Sequence, residues 1–279
     1  MTPDGKEFYF SALQGSFDYA AILVTREVDG RWTEPEVCAF SADPSSKTIE
    51  PAISPDGRRF YFASNRGKPA GRERDFDLWV MEREGEAWSA PRPVGPPVNS
   101  DAAEFFPSVT RGGTLYFTRE SPDGTSAIFR ARPEEKGFAE PERLPGTVNA
   151  GADRFNAYVS PDESLLVVCY AGLPGGLGGV DYFALFRSPE DAWSAPVNLG
   201  PRVNTKGHEY SPYLSPDGRF FFFMSPRMVE DPLAGASRLT RDVLLSMHER
   251  PGTGSPGIWW VDAGFLKALA PAPRKEKTP

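Results

Sequence analysis

The chain has 279 residues, of which 39% are apolar and 13% aromatic, a composition that can fill a hydrophobic core and is not typical of a disordered protein. Its formal net charge of −7 disfavours binding to a nucleic-acid backbone, and it has no apolar run of membrane-spanning length. Its two cysteines, Cys38 and Cys169, lie in or beside apolar runs and are predicted to be buried free thiols rather than a disulfide.

Five segments of the chain share a tight turn followed by an apolar strand. The fourth position of this turn is occupied in turn by Gly5, Gly57, Gly113, Glu163 and Gly218. Asp-Gly suits such a turn because both residues tolerate positive φ, and the aromatic and β-branched residues that follow predict a buried strand. The sequence therefore contains five copies of one unit.

A second marker recurs in register with the turn. An aromatic residue followed three positions later by proline occurs at Trp32, Trp88, Phe138 and Trp193. Each lies at one constant distance from the next turn position (32 to 57, 88 to 113, 138 to 163, 193 to 218). Polar residues also align within this stretch, among them Asn99, Asn149 and Asn204, which are predicted to cap turns through their side chains.

Each repeat of roughly 50 residues offers four strands and no helix, which is typical of a propeller blade. We therefore predict an all-β fold, a β-propeller of five four-stranded blades that forms one domain over residues 1–270, with six blades as the alternative. The first copy lacks its innermost strand and the last copy lacks its outermost strand. Either the ring closes imperfectly or the natural protein begins upstream of Met1, and we favour the second explanation.

The last blade is predicted to carry a helical insertion. Between residues 226 and 256, a helix is expected at about Ala236–Glu249, with Leu239, Val243, Leu244 and Met247 forming an apolar stripe that packs on the propeller. A short helix is expected at about Ala263–Leu269. The remaining residues, 271–279, are predicted to be a disordered tail.

The repeat resembles a known family. The turn Ser215–Gly218 with its aromatic strand, and the strand that begins Asp77-Leu78-Trp79, resemble the TolB-type, WD-like propeller repeats over about residues 1–269. Relatives usually carry an export signal, so the resemblance implies a periplasmic or secreted protein. The first residues of this chain do not read as a signal peptide, which predicts a cytoplasmic protein if Met1 is the true start.

The topology of a blade predicts which face binds a ligand. The tight turns lie on one face, whereas the loops between the second and third strands and the crossovers between blades lie on the other. Three of these loops are long, at residues 65–76, 171–180 and 226–256. We expect this looped face to be the binding surface.

Two acidic residues of the repeat are candidates for the channel mouth. Glu104 and Glu209 precede the innermost strands, where they could hold a cation or a ligand hydroxyl, or could instead accept backbone N–H bonds. Arg154 occupies the same repeat position and could form an ion pair with either glutamate. His208 precedes Glu209, but a single His-Glu pair is a weak indication of a metal site.

Two arginines complete the candidate ligand-binding residues. Arg66 and Arg227 begin two of the long loops, where they could bind an anionic group or neutralise an acidic channel. No catalytic residue and no metal ligand is assigned. No cofactor is predicted, although a structural divalent cation stays open.

The repeat predicts a non-catalytic binding propeller that engages a protein, peptide or glycan partner, and the resemblance implies that it acts at the bacterial cell envelope. The chain has no nucleophile elbow and no histidine cluster. The alternative is a carbohydrate-active enzyme, a glycoside hydrolase or lyase, in which Glu104 and Glu209 would face each other across the channel. Nucleic-acid binding and a membrane span are not expected, and a monomer is.

Overall fold

The computed structural model describes residues 1–15, 17–69, 71–72, 74–229, 233, 238–249 and 252–270. Five antiparallel sheets follow one another along the chain as the five blades of a β-propeller, which confirms the predicted fold class. Blade one contains β1 (Glu7–Leu13), β2 (Ala20–Val28), β3 (Arg31–Trp32) and β4 (Glu36–Val37). Blade two contains β5 (Thr48–Ile53), β6 (Arg59–Ser64), β7 (Asp77–Glu84), β8 (Ala87–Trp88) and β9 (Arg92–Pro93).

The other three blades repeat this order. Blade three contains β10 (Glu104–Val109), β11 (Leu115–Glu120), β12 (Ser126–Ala131) and β13 (Glu142–Arg143). Blade four contains β14 (Asp153–Val159), β15 (Leu165–Ala171), β16 (Val180–Phe186) and β17 (Val197–Asn198). Blade five contains only β18 (Tyr210–Leu214), β19 (Phe220–Ser225) and β20 (Gly257–Asp262). As predicted, the described part of blade one lacks an innermost strand and that of blade five an outermost one.

The predicted turn residues all adopt left-handed backbone conformations. The φ angles are 74° at Gly5, 71° at Gly57, 83° at Gly113 and 69° at Gly218. Glu163 has a φ of 57° although it carries a side chain, a conformation that costs free energy. Its carboxylate accepts hydrogen bonds from the Arg187 guanidinium at 2.6 Å and from the Tyr116 hydroxyl at 3.1 Å, which help to hold the turn.

The hydrophobic core lies between neighbouring blades rather than inside any one sheet. Leu78 and Val80 of blade two, for example, belong to one buried cluster with Leu115 and Phe117 of blade three. Alternate residues of a strand face opposite sides of its sheet, so blades two, three and four each pack on the blade before and the blade after them. Cys38 and Cys169 are buried and free, as predicted.

Each innermost strand contains a bulge that faces the central channel. The bulge residues have φ angles of 60° at Glu50, 50° at Phe106, 49° at Asn156 and 62° at Ser211. Their backbone amides are bonded across the blade boundary. Ser11 Oγ, for example, accepts the Glu50 N–H at 2.8 Å, and Thr118 Oγ1 accepts the Asn156 N–H at 3.0 Å.

Two helices accompany blade five. The helix α1 (Arg241–Glu249) lies between β19 and β20, which confirms the helical insertion. Its predicted start at Ala236 lies outside the described residues, and Leu244 is exposed, so the apolar stripe does not pack fully on the propeller. The helix α2 (Phe265–Leu269) follows β20. The predicted tail at 271–279 lies outside the described residues. Among those described, no helix is long and apolar enough to cross a membrane.

Candidate functional site

A cavity of about 730 Å³ opens on the looped face, between blades one, two and three. It forms where the loops between the second and third strands of these blades meet the crossovers into blades two and three. Its lining residues are Phe17, Asp18, Lys47, Gly71, Arg72, Arg74, Asp75, Asp101, Ala102, Ala103, Glu120, Ser121 and Pro122. Its volume lies in the range of small-molecule sites. The cavity is on the face predicted from topology, but none of the six predicted site residues lines it.

Phe17 supplies the aromatic wall of this cavity. Its φ of 62° places a bulky residue in the left-handed region, and its N–H donates to the Gln14 carbonyl at 2.7 Å. The ring packs against Phe76, with centroids 6.1 Å apart, and the Lys47 ammonium lies 5.1 Å from the ring centroid. The wall therefore combines an apolar ring with a cation at its rim.

Charged side chains hold the loop of blade two in place beneath the cavity. Asp75 forms ion pairs with the Lys68 ammonium at 3.3 Å and with the Arg72 guanidinium at 2.5 Å. Lys68 also pairs with Asp77 at 2.9 Å, and Arg72 donates to the Asp101 carbonyl at 3.1 Å. Because these contacts join the loop of blade two to the crossover into blade three, the charges at the cavity floor are largely paired with one another.

A smaller cavity of about 380 Å³ lies beside the first and shares Arg72 with it. Arg66 is the one predicted site residue that lines it, together with Asp43 and Ser45. Hydrogen bonds from the Ser45 backbone and hydroxyl lower the pKa of Asp43, so this carboxyl is ionised at neutral pH.

Arg66 and Arg227 both join neighbouring blades. The Arg66 guanidinium lies 5.2 Å from the Phe62 ring and 5.0 Å from the Trp79 ring, and donates to the Phe40 carbonyl at 2.7 Å. Arg227 is placed in the same way between two aromatic rings and donates to the Val203 carbonyl at 2.7 Å. Burial lowers the pKa of both arginines. Both guanidinium groups are therefore engaged by aromatic rings and backbone carbonyls of the propeller itself.

Two more of the five blade boundaries, those between blades two and three and between blades three and four, use different residues for the same contact. In blade three, Arg119 donates to the Val98 carbonyl at 2.8 Å, and in blade four the Tyr170 hydroxyl donates to the Val148 carbonyl at 2.7 Å. A tyrosine can replace the arginine because both reach a backbone carbonyl from a neighbouring aromatic surface. The repetition of the contact indicates a structural role at all four boundaries.

Glu104 and Glu209 are fully buried and hydrogen-bonded to the crossovers. Glu104 accepts bonds from the Ser100 N–H at 3.0 Å and hydroxyl at 2.5 Å, and from Arg119 Nε at 2.7 Å. Burial raises the pKa of Glu104. Glu209 accepts from the Thr205 N–H at 3.1 Å and hydroxyl at 2.5 Å, and from the Ser225 hydroxyl at 2.9 Å. Both carboxylates therefore satisfy backbone donors, the alternative that the sequence left open.

The six predicted residues do not form one cluster. They are spread over blades two to five, and the ion-pair partner of Glu104 is Arg119 of its own blade rather than Arg154. Arg154 lies buried in β14, and its Nε has no hydrogen-bond partner. His208 is exposed, and its ring lies against Gly179. Ligand binding by these residues stays a prediction.

The central channel contains an acidic residue that sequence reasoning missed. The Glu50 carboxylate accepts the Phe106 N–H at 2.6 Å and a hydrogen bond from the Asn156 side chain. Burial raises the pKa of Glu50 to about 7. The repeat carried a signal for it, because proline recurs at positions 51, 107 and 212 and the residue before each is a channel-facing bulge. Among the described side chains, no group of three or more His, Cys, Asp or Glu could hold a metal ion.

Comparison with known proteins supports the fold. No family model and no curated relative matches the chain. Among solved structures, TolB from Acinetobacter baumannii matches with a TM-score of 0.51 at 13% identity, covering 81% of this chain and 48% of that one. A second structure, described as an RGII complex, matches with a TM-score of 0.51 at 10% identity, covering 79% of both proteins. The chain thus spans about half of the TolB chain, and its resemblance to TolB-type propellers holds for the fold.

Proposed function

We propose that this propeller is a non-catalytic binding protein that holds a polar glycan or peptide segment in the cavity between blades one, two and three. The observation that carries the proposal is the composition of the cavity wall. The Phe17 ring is flanked by the Lys47 ammonium, and Arg74, Asp101 and Glu120 surround the opening. A ring onto which a sugar or peptide plane can stack, with polar groups that fix its orientation, is typical of binding sites for such ligands.

Binding is favoured over carbohydrate hydrolysis because of the state of the carboxylates. A glycosidase needs two carboxyl groups that reach the bound sugar from opposite sides. The nominated pair, Glu104 and Glu209, is enclosed and hydrogen-bonded to the crossovers. In the cavity, Asp75 is ion-paired with Lys68 and Arg72. Glu104, Glu209 and Asp75 are therefore engaged with neighbouring groups, which disfavours proton exchange between these three carboxyl groups and a substrate.

We further propose that the protein acts as a monomer in the bacterial cell envelope, in the periplasm or outside the cell. This setting is supported by the TolB-type fold. The ligand would then be a cell-envelope glycan or a peptide segment of an envelope protein.

The test is a thermal-shift and calorimetry screen of the full chain against peptidoglycan fragments, other oligosaccharides and peptides. A ligand of the cavity should raise the melting temperature of the wild-type protein and bind at least tenfold more weakly to the Phe17→Ala/Lys47→Ala variant. Tyr19→Ala is the matched control, because Tyr19 is an exposed aromatic residue of the same loop that does not line the cavity. A ligand that binds wild type and both variants equally would exclude this site.

A further inference from the structure

The outer edge of β20 in blade five differs from the same edge in the other blades. In blade two the outward backbone groups of Leu78 are bonded, because its N–H donates to Asn99 Oδ1 at 2.9 Å and its carbonyl accepts the Val94 N–H at 2.8 Å. Asn149 caps Ile128 of blade three, and Asn204 caps Tyr182 of blade four, in the same way. In blade one, Ser41 Oγ accepts the Ile22 N–H at 3.1 Å.

Ile258 of β20 occupies the position equivalent to Leu78 and has no such cap. It pairs with Met224 as Leu78 pairs with Ala63, so its backbone N–H and carbonyl point away from β19. Within the described part of the chain, no strand and no side chain bonds to this edge. Ile258 and Trp260 are 48% and 62% exposed, whereas the residue equivalent to Ile258 is fully buried in every other blade.

One part of the missing outer strand is replaced by the chain itself. In blade two the Trp88 ring packs on Phe60, with centroids 5.4 Å apart. In blade five the Phe265 ring of α2 packs on the equivalent Phe221 at 6.2 Å. The aromatic position is therefore filled, while the two-residue strand that follows the proline in the other blades has no counterpart among the described residues.

Charge indicates which residue would complete this edge. In blade two, Arg92 directly follows Pro91 and pairs with Glu82 of the neighbouring strand at 2.8 Å. In blades one and three the charges are reversed: Glu36 pairs with Arg26, and Glu142 lies 3.9 Å from Arg132. Blade five has an exposed carboxylate, Asp262, at the position of Glu82. A basic residue after a proline is therefore the complementary occupant.

We propose that the outer edge of β20 binds an extended peptide segment of a partner protein that contains proline followed by lysine or arginine. The segment adds an antiparallel strand to blade five, with its backbone bonded to Ile258 and Trp260 and its basic side chain paired with Asp262. This site is distinct from the cavity on the looped face and does not depend on it.

The test measures fluorescence anisotropy of a labelled peptide, Ser-Ala-Pro-Arg-Pro-Val-Gly, which copies residues 89–95 of blade two. It should bind the full-length protein, and replacing its arginine with glutamate should weaken binding at least fivefold. Asp262→Lys should reverse this preference, so that the glutamate peptide binds the variant more tightly than the arginine peptide does. Glu82→Lys is the matched control and should bind like wild type, because its own edge is covered by β9.

Three results would overturn the proposal. The first is that the peptide binds no better than a scrambled sequence, and the second is that Asp262→Lys keeps the wild-type preference while retaining the wild-type melting temperature. The third is a concentration-dependent dimer, measured by light scattering, that Trp260→Ala abolishes, because a second copy of the chain would then be the occupant. If a protein variant fails to fold, the comparison of the arginine peptide with the glutamate peptide on the wild-type protein still tests the proposal.

Discussion

The boundary between blades three and four differs sharply from the boundary between blades five and one. At the first, Arg130 of blade three pairs with Asp191 of blade four at 3.0 Å, and the Tyr116 hydroxyl donates to Glu163 at 3.1 Å. Beneath these contacts lies a buried cluster from both blades. At the second boundary the Phe8 and Phe222 rings lie 5.1 Å apart, while Ile258 and Trp260 beside them stay exposed.

The two boundaries differ in the innermost strand of the following blade. At the boundary of blades three and four, β14 supplies this strand, and its Asn156 N–H is accepted by Thr118 of blade three. The described part of blade one begins its sheet with β1, so nothing equivalent closes the boundary with blade five. Blade five also lacks an outermost strand among the described residues, so two strands distinguish this boundary from that of blades three and four.

The largest difference between the two boundaries is expected in the free energy of unfolding when isoleucines at equivalent positions are replaced by alanine. Ile128→Ala should lower the free energy of unfolding by about 2–5 kcal/mol, because Ile128 is fully buried between blades three and four. Ile258→Ala should cost less than about 1 kcal/mol, because its side chain is half exposed. Urea unfolding of both variants measures the difference. Equal losses would mean that the boundary of blades five and one is packed in solution.

A second prediction concerns the pH dependence that Glu50 gives the channel. Its pKa in the fold, about 7, is above that of the unfolded chain, so between these values the folded state binds the extra proton. Stability is therefore greater below the unfolded pKa and is lost as the pH rises through about 7. Since one pKa unit corresponds to about 1.4 kcal/mol, the loss should be about 2–3 kcal/mol between pH 5 and pH 8. Glu50→Gln should remove it, and a variant with the wild-type pH profile would contradict the assignment.

A third prediction uses hydrogen exchange to compare the outer edges of blades four and five. The Tyr182 amide is bonded to Asn204 and buried, so it should exchange slowly, through opening of the blade. The Ile258 amide has no such bond and should exchange faster by a factor of at least about 100. Amide exchange followed by NMR or mass spectrometry measures both residues in one sample. Comparable protection would show that another segment covers β20.

The weakest change is expected from the ion pairs at the boundary of blades three and four. Hydrogen bonds from Arg130 and Arg187 lower the pKa of Asp191 to about 2. Its contribution is present above the unfolded pKa and is lost as the pH falls towards 2. Because Asp191 is partly exposed, Asp191→Asn should cost less than about 1 kcal/mol at pH 7, and this cost should shrink as the pH falls through about 2. A larger cost in urea unfolding at pH 7 would mean that these pairs, rather than the buried cluster, hold the boundary.

The repeat made the fold predictable because its signals are local. The Asp-Gly turns and the spacing from each aromatic residue to the next turn determined the number and order of the blades. The face that carries the cavity followed from topology alone. The lining of the cavity did not, because Phe17 and Asp75 lie in loops of unequal length, whose positions depend on contacts such as Arg72 with Asp75.

The predicted site residues show how a repeat guides the choice of candidates. Glu104, Glu209, Arg66 and Arg227 became candidates because they recur with the repeat, and the structure places all four in contacts that join neighbouring blades or crossovers. Residues can recur in a repeat protein because every boundary between neighbouring repeats needs the same structural contacts. Blade one shows a further limit of the alignment. Its strand β2 is capped by Ser41, whereas Asp43, the residue that aligns with the capping asparagines of the other blades, bonds Ser45 instead.

The place of ligand binding is best tested by a crystal structure of the protein with the first glycan or peptide that the screen identifies. We expect the ligand to lie in the cavity between blades one, two and three, with its plane against the Phe17 ring and its polar groups near Lys47. Ligand bound instead at the channel mouth, beside Glu104 and Glu209, would contradict the proposed function.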